Sequence, residues 1–241
     1  MKSQSITDIG SKRSVNQDCI YNIDETIGAL PNLYIVADGM GGHKAGDHAS
    51  RTCVDVMVEK VKEYDDIYTP ISVLEYAIAE ANKAIYEESI SNEELEGMGT
   101  TVVAATIDSG MLYVANVGDS RLYIIQDESL KQLTSDHSLV EEMVRRGEIS
   151  PLDARMHPNK NIITRALGSC QDVKVDFFEI EADKIDRVLL CSDGLTNMVD
   201  EEEILDTIIN SESIKKATQL LVDKANKYGG KDNISVVLIE M

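Results

Sequence analysis

Short β-branched apolar runs and two long stretches of helical period follow one another in blocks along this chain, and the blocks divide it into elements. Apolar runs near residues 3–9, 18–24 and 32–37 predict strands. The next two segments repeat their apolar positions every three or four residues. Residues 45–64 align Ala49, Cys53, Val54, Met57, Val58 and Val61 on one face, and residues 71–91 align Leu74, Ala77, Ile78, Ala81 and Ile85. Both predict amphipathic helices. Pro70 suits the first turn of the second, and residues 92–97 read as a polar loop. Strands are predicted at about 100–107, 111–118, 120–126 and 130–133, with Asp108-Ser109-Gly110 and Asp127-Glu128-Ser129 as hairpin loops, which together read as one antiparallel meander. A short helix over 138–146, a loop through Pro158-Asn159-Lys160-Asn161, strands near 173–180 and 186–191, two helices within 200–228 and a last strand at 233–239 complete the map. Blocks of strands and helices, rather than strict alternation, predict antiparallel sheets covered by helix pairs.

Four aspartates stand at the edges of the strongest apolar runs. Asp38 follows Leu33–Ala37, Asp119 follows Leu112–Gly118, Asp193 follows Val188–Ser192, and Asp232 immediately precedes Asn233 and a run to Ile239. Taken singly, an apolar run ending in Asp-Gly reads as a turn, because glycine supplies positive φ and aspartate bonds its own backbone. The residues that follow argue against hairpins. Asp38-Gly39 enters the glycine-rich Met40–Gly46 and then a helical pattern, and Asp193-Gly194 enters Leu195–Met198 and an acidic helix start. If these strand ends converge, several negative charges meet, and hard cations are what hold such a cluster together.

The 241 residues, 43% of them hydrophobic, suffice for a single domain with a sizeable core. With 23 Lys and Arg against 43 Asp and Glu the formal charge is −20, and the cations are scattered. Such a chain repels phosphate backbones and anionic membranes, so neither nucleic acid nor a membrane is expected as a partner. No apolar run approaches the roughly 18 residues of a membrane span, and no leader pattern opens the chain. Cys19, Cys53, Cys170 and Cys191 are widely spaced and form no Cys-x-x-Cys, which predicts reduced thiols and a cytoplasmic setting. The chain is expected to act as a monomer.

Several phosphate chemistries are excluded by spacing. A cysteine-nucleophile phosphatase needs an arginine six positions after the cysteine, and those positions hold Glu25, Glu59, Asp176 and Asn197. An aspartyl-phosphate mechanism needs Asp-x-Asp, which does not occur. The single Gly-Lys, Gly230-Lys231, is followed by Asp232, so there is no nucleotide-binding P-loop. Four histidines, His43, His48, His137 and His157, are too few and too isolated for a histidine-rich dinuclear site. An all-oxygen shell of few carboxylates, a carbonyl and water suits Mg²⁺ or Mn²⁺ better than zinc, and the calcium loop pattern is absent.

Eight segments in order resemble the bacterial form of the metal-dependent protein phosphatases of type 2C. They are RSVNQD at 13–18, VADGMGG at 36–42, GTT at 99–101, VGDSR at 117–121, TSDHS at 134–138, HPNKNIITRALG at 157–168, CSDGL at 191–195 and KDNIS at 231–235. The resemblance spans essentially the whole chain. It implies an α+β, four-layer αββα sandwich: two antiparallel sheets face to face, with helix pairs outside. It further implies that Asp38 bridges two Mn²⁺ or Mg²⁺ ions, that the Gly39 carbonyl, Asp193 and Asp232 complete the protein's share, and that Asp119 helps to hold a third ion with Asp193. On the same ground Arg13 holds the substrate phosphate and Asp18 is the acidic residue behind the metals. Read from the residues alone, Arg13 beside Lys12 is either that or a surface cation.

Two cations about 3.5–4 Å apart can make hydroxide from a bridging water near neutral pH and absorb charge on the phosphoryl oxygens, so no covalent intermediate is needed. Gly39 suits close backbone approach, and the arginine fork suits phosphate. The chain departs from the family pattern at Met40, where many eukaryotic members carry a histidine proposed as the acid for the leaving oxygen, and at Gln17, where a glutamate usually precedes Asp18. Lone histidines are more often hydrogen-bonded structural residues than catalysts, and His43, His137 and His157 are read that way; His157 lies nearest the chemistry, and His48 is structural. Residues 145–165, with Pro151, Pro158 and several basic residues, read as a flap that meets substrate. The implied activity is hydrolysis of phosphoserine and phosphothreonine in proteins, opposite a serine/threonine kinase. Alternatives are a phosphatase of an anti-sigma-factor antagonist in stress signalling, and an inactive phosphoprotein-binding scaffold.

Overall fold

Alternation within each apolar run sends successive side chains into different cores, and this makes four layers out of two sheets. The computed structural model describes residues 1–42, 45–65 and 69–241. One sheet runs β1 (Lys2–Asp8), β11 (Ile234–Glu240), β10 (Arg187–Cys191), β7 (Arg121–Gln126) and β8 (Ser129–Gln132). The other runs β2 (Asp18–Ile23), β3 (Leu33–Met40), β5 (Val102–Asp108), β6 (Met111–Val117) and β9 (Asp176–Glu181), with the two-residue β4 (Gly99–Thr100) paired to the end of β3. Every pairing is antiparallel.

Between the sheets lie Tyr34 and Val36 from β3, Val103 and Ala105 from β5, Leu122 and Ile124 from β7, Val188 and Leu190 from β10, and Val237 and Ile239 from β11. Their neighbours in sequence point the other way. Leu33, Ile35 and Ala37 pack under α1 (Ala45–Glu63) and α2 (Pro70–Ser91), whereas Leu189, Cys191, Val236 and Leu238 pack under α6 (Glu201–Ile209) and α7 (Ile214–Lys227). Strands apolar on both faces therefore read as unbroken hydrophobic runs. Among the described residues no helix is long and apolar enough to cross a membrane.

Three expectations change. The segment from β5 to β8 is not one meander. β5–β6 and β7–β8 are hairpins of different sheets, and the chain crosses between them at Gly118-Asp119-Ser120. Gly118 has φ +108°, and a Cβ there would press into Thr101, so the crossing depends on a residue without a side chain. The segment read as an irregular loop before Pro158 contains a short helix, α4 (Pro151–Met156), capped by Ser150, and it follows α3 (Leu139–Arg145), capped by Ser138. Residues 173–175 are not strand, and β9 begins at Asp176. Within the loop at 92–97, Glu93–Leu95 form one 3₁₀ turn. Elsewhere the helix boundaries follow their caps, with Thr69 and Ser72 forming a reciprocal capping box ahead of α2.

The interlayer core carries the fold's stability. Leu190→Ala, at a fully buried position between the sheets, is expected to cost about 2–5 kcal/mol in chemical denaturation with the unfolding slope unchanged.

Candidate metal centre and phosphate site

Strand register brings the predicted carboxylates to one end of the sandwich. Asp18 lies directly opposite Asp38 across β2–β3. In the other sheet Cys191 pairs with Val236 on one side and with Arg121 on the other, so the residues just beyond, Asp193, Asp232 and Asp119, leave the same end. Asp193 opens the single helical turn α5 (Asp193–Thr196) rather than a hairpin.

Like charges opposite one another in a sheet repel, and this cluster is also shielded from water. Burial pushes the Asp38 carboxyl well above its ordinary range, and the charges of Asp18, Asp193, Asp119 and Asp232 push it further. Burial likewise raises Asp119 to about 8, aided by Asp193 and Asp136. Asp193 rises to about 6 through burial and Asp232, with Arg121 pulling the other way. Asp18 rises to about 7 mainly through burial, although the hydroxyls of Ser235 and Ser192 favour its anion.

The surrounding polar groups fix the carboxylates without neutralising them. Ser192 Oγ donates to Asp18 Oδ2 at 2.8 Å, and Asn197 Nδ2 donates to Asp193 Oδ2 at 2.8 Å. The other oxygen of each, Asp18 Oδ1 and Asp193 Oδ1, is buried with no hydrogen-bond partner. Two orphaned anionic oxygens facing one acidic cluster are what a cation would satisfy, so the donor set fits a hard divalent ion. Among the described residues no three His, Cys, Asp or Glu side chains are grouped so as to hold an ion by themselves.

The backbone of Asp38 is clamped. Its N–H donates to Thr101 Oγ1 at 3.0 Å, and its carbonyl accepts from Thr101 N at 2.9 Å and Thr100 Oγ1 at 3.0 Å. Gly39 N donates to the Gln17 carbonyl at 3.0 Å, and a Cβ at Gly39 would collide with the Gly46 carbonyl oxygen of α1. Gln17 N in turn donates to Asn233 Oδ1 at 2.9 Å, which ties the two sheets together behind the carboxylates. Arg13 Nη2 donates to Asp232 Oδ2 at 2.7 Å, with the guanidinium half exposed, so the residue expected at the phosphate sits on an expected metal ligand.

Sequence reasoning missed the supports: Ser192, Asn197, Asn233, Thr101 and the Arg121–Asp136 pair, in which Nε and Nη2 of one guanidinium grip both oxygens at 2.7–3.1 Å. Most of them lie inside the quoted motifs, beside the aspartates, and that adjacency was their only signal. His137 is structural: its Nδ1 accepts from Gly118 N at 3.0 Å, and Nε2 lies 3.2 Å from Asp176. His48 pairs with Glu88 across α1 and α2, His157 Nδ1 accepts from Asn159 N at 3.2 Å, and His43 lies outside the described residues. Met40 ends β3.

Because Asp18, Asp119 and Asp193 hold their protons more tightly folded than unfolded, their contribution is complete below pH about 4 and is lost as pH rises through about 6 to 8. In chelator the melting temperature is therefore expected to fall between about pH 5 and 8. Thermal melts at fixed ionic strength check this, and a rise over that window would contradict the charge crowding.

Comparison with known proteins gives the arrangement its family. A family model described as protein phosphatase 2C matches residues 10–228. The serine/threonine phosphatase stp of Listeria welshimeri is 48% identical over 211 residues, covering 86% of this chain and 84% of that protein. The crystal structure of the serine/threonine phosphatase Stp1 from Staphylococcus aureus aligns with TM-score 0.93 at 34% identity, covering 100% of this chain and 94% of that one. A crystal structure of the catalytic domain of the serine/threonine protein phosphatase PstP in complex with two manganese ions aligns with TM-score 0.86 at 33% identity, covering 99% and 97%. The chain belongs to the protein phosphatase 2C family and is a bacterial-type protein serine/threonine phosphatase.

Proposed function

We propose that the chain hydrolyses phosphoserine and phosphothreonine esters in proteins with the help of two divalent cations, Mn²⁺ or Mg²⁺, held at the acidic end of the sandwich. The observation that carries this reading is the pair of buried, unpartnered oxygens on Asp18 and Asp193 within a cluster of carboxylates. The manganese recorded in the PstP structure is consistent with it.

On this reading Asp38, the Gly39 carbonyl, Asp193 and Asp232 would hold the two ions, and Asp119 with Asp193 would hold a third. When bound, such cations supply hydroxide near neutral pH and absorb charge on the phosphoryl oxygens. The chain's own part is positional. Thr100 and Thr101 clamp the Asp38 backbone, Asn197 turns one Asp193 oxygen away so that the other faces inward, and Ser192 holds Asp18 behind the cluster. Arg13, already reaching over Asp232, has a planar fork for two phosphate oxygens. Met40 has no proton to give, so on this reading water would supply the proton for the leaving oxygen.

We further read residues 1–241 as one catalytic unit with a flap over about 145–165. Its substrates are then the products of a serine/threonine kinase whose work it reverses, and the buried thiols of Cys53 and Cys191 fit a reducing, cytoplasmic setting.

Release of phosphate from a phosphopeptide should require Mn²⁺ or Mg²⁺ and vanish with chelator or with Asp193→Ala. At a hundredfold excess over its dissociation constant the metal should stabilise the fold by about 2.7 kcal/mol. An unchanged melting temperature would remove the metal site, and binding without turnover would favour a scaffold. Shortening the 145–165 segment should alter discrimination among phosphoproteins while hydrolysis of a small aryl phosphate persists; loss of both would make the segment structural.

A further inference from the structure

The exposed face of α4 is unusual on this protein. Leu152 and Met156, four residues apart and so on one side of the helix, are 75% and 84% exposed, and Ile162 nearby is 47% exposed. Few large apolar side chains anywhere on the described surface are as open. The same stretch is basic. Residues 145–165 contain Arg145, Arg146, Arg155, Lys160 and Arg165 against Glu148 and Asp153, in a chain of net charge −20. Arg146 is paired with Glu142 and Arg165 with Asp176, but among the described residues Arg145 and Arg155 have no carboxylate partner.

A cavity of about 520 Å³ joins this face to the acidic end of the sandwich. Leu152, Arg155, Met156 and Lys160 line one part of it, and Asp119 and Asp193 line another. Whatever rests on α4 is thus continuous with whatever occupies the metal centre. An isolated patch for a second copy of the chain would not need that continuity.

We propose that the exposed face of α4 is a subsite for an apolar side chain of the phosphoprotein, flanked by acidic residues and lying a few positions from the phosphorylated serine or threonine. This rests on the phosphatase reading above and narrows its substrate class. Leu152 and Met156 supply the apolar contact, with methionine adapting its shape to different side chains. Arg155, which lines the same cavity, supplies the charge that an acidic flank would meet.

The test uses the full chain with Mn²⁺ and a series of phosphoserine peptides with acidic flanks, in which one leucine is placed in turn up to about four residues on either side, a reach of about 13 Å. Each is compared with the same peptide carrying serine at that position. One placement is expected to raise kcat/KM about tenfold, the usual scale for a single apolar contact. The double variant Leu152→Ser, Met156→Ser should level the leucine and serine peptides, and Arg155→Ala should weaken the preference for acidic over neutral flanks. Aryl phosphate hydrolysis and melting temperature should stay as in the wild type.

Equal kcat/KM for all placements in the wild type, or a preference that survives the double variant, would overturn the subsite while leaving the phosphatase reading intact. A change in sedimentation with peptide preference unaltered would reassign the face to self-association and overturn it too. Loss of aryl phosphate hydrolysis in the variant alone would make α4 part of the fold's support. Absence of that hydrolysis in the wild type would instead remove the phosphatase reading on which the subsite depends.

Discussion

Electrostatic repulsion among carboxylates is the constraint on which this structure turns. Asp18, Asp38, Asp119, Asp193 and Asp232 are brought to one end of the sandwich by strand pairing, and the register leaves little freedom, because a slip of one residue would turn every inward side chain outward. The interlayer core must therefore hold together a cluster that its own charges drive apart. That explains why the carboxylates are braced from behind by neutral donors such as Ser192, Asn197 and the threonines at 100 and 101. Neutral donors orient an anion without competing with a cation for its charge, whereas a lysine in their place would fill the site permanently.

Arg13 is the informative exception. It sits on Asp232 from a half-exposed position, so its contact is screened by water and can be exchanged. Partly buried Arg121, by contrast, is committed on every side, to Asp136 through two-pronged contact and to the Tyr123 hydroxyl at 2.9 Å, and fastens the strand that follows Asp119. The two arginines illustrate a division of work by burial. The less exposed one is bound into the frame, and the more exposed one holds a single partner.

Much of this was legible in the chain. Strands buried on both faces announce themselves as unbroken apolar runs, and aspartates at their ends mark where the backbone leaves the core. The caps at Thr69, Ser138, Asp200 and Ser213 are local signals that local rules can read. What escaped is non-local. Nothing in the residues from Val117 to Arg121 distinguishes a hairpin from a crossing between sheets, since the outcome depends on Thr101 leaving room only for a glycine. The α4 helix was hidden because six residues give too short a period to detect and its apolar side chains face solvent rather than a core. Arg13 on Asp232 joins residues 219 positions apart, and no spacing rule reaches that far.

The element hardest to read from the sequence is also the one whose largest apolar side chains the fold does not bury. A core helix is specified by the surface it covers, so its pattern must repeat; α4 covers nothing with Leu152 and Met156, and its pattern is free to serve another purpose. The clustered carboxylates allow no such freedom, since moving any one of them by a residue would break the register that assembles all of them. On the reading proposed above, reaction chemistry and partner choice would be separated physically, the first fixed on the ends of paired strands and the second carried on a short helix within a basic stretch beside them. Because the two meet in one cavity, substitutions on the helix would then change the phosphoproteins it favours without disturbing the strands that carry the carboxylates.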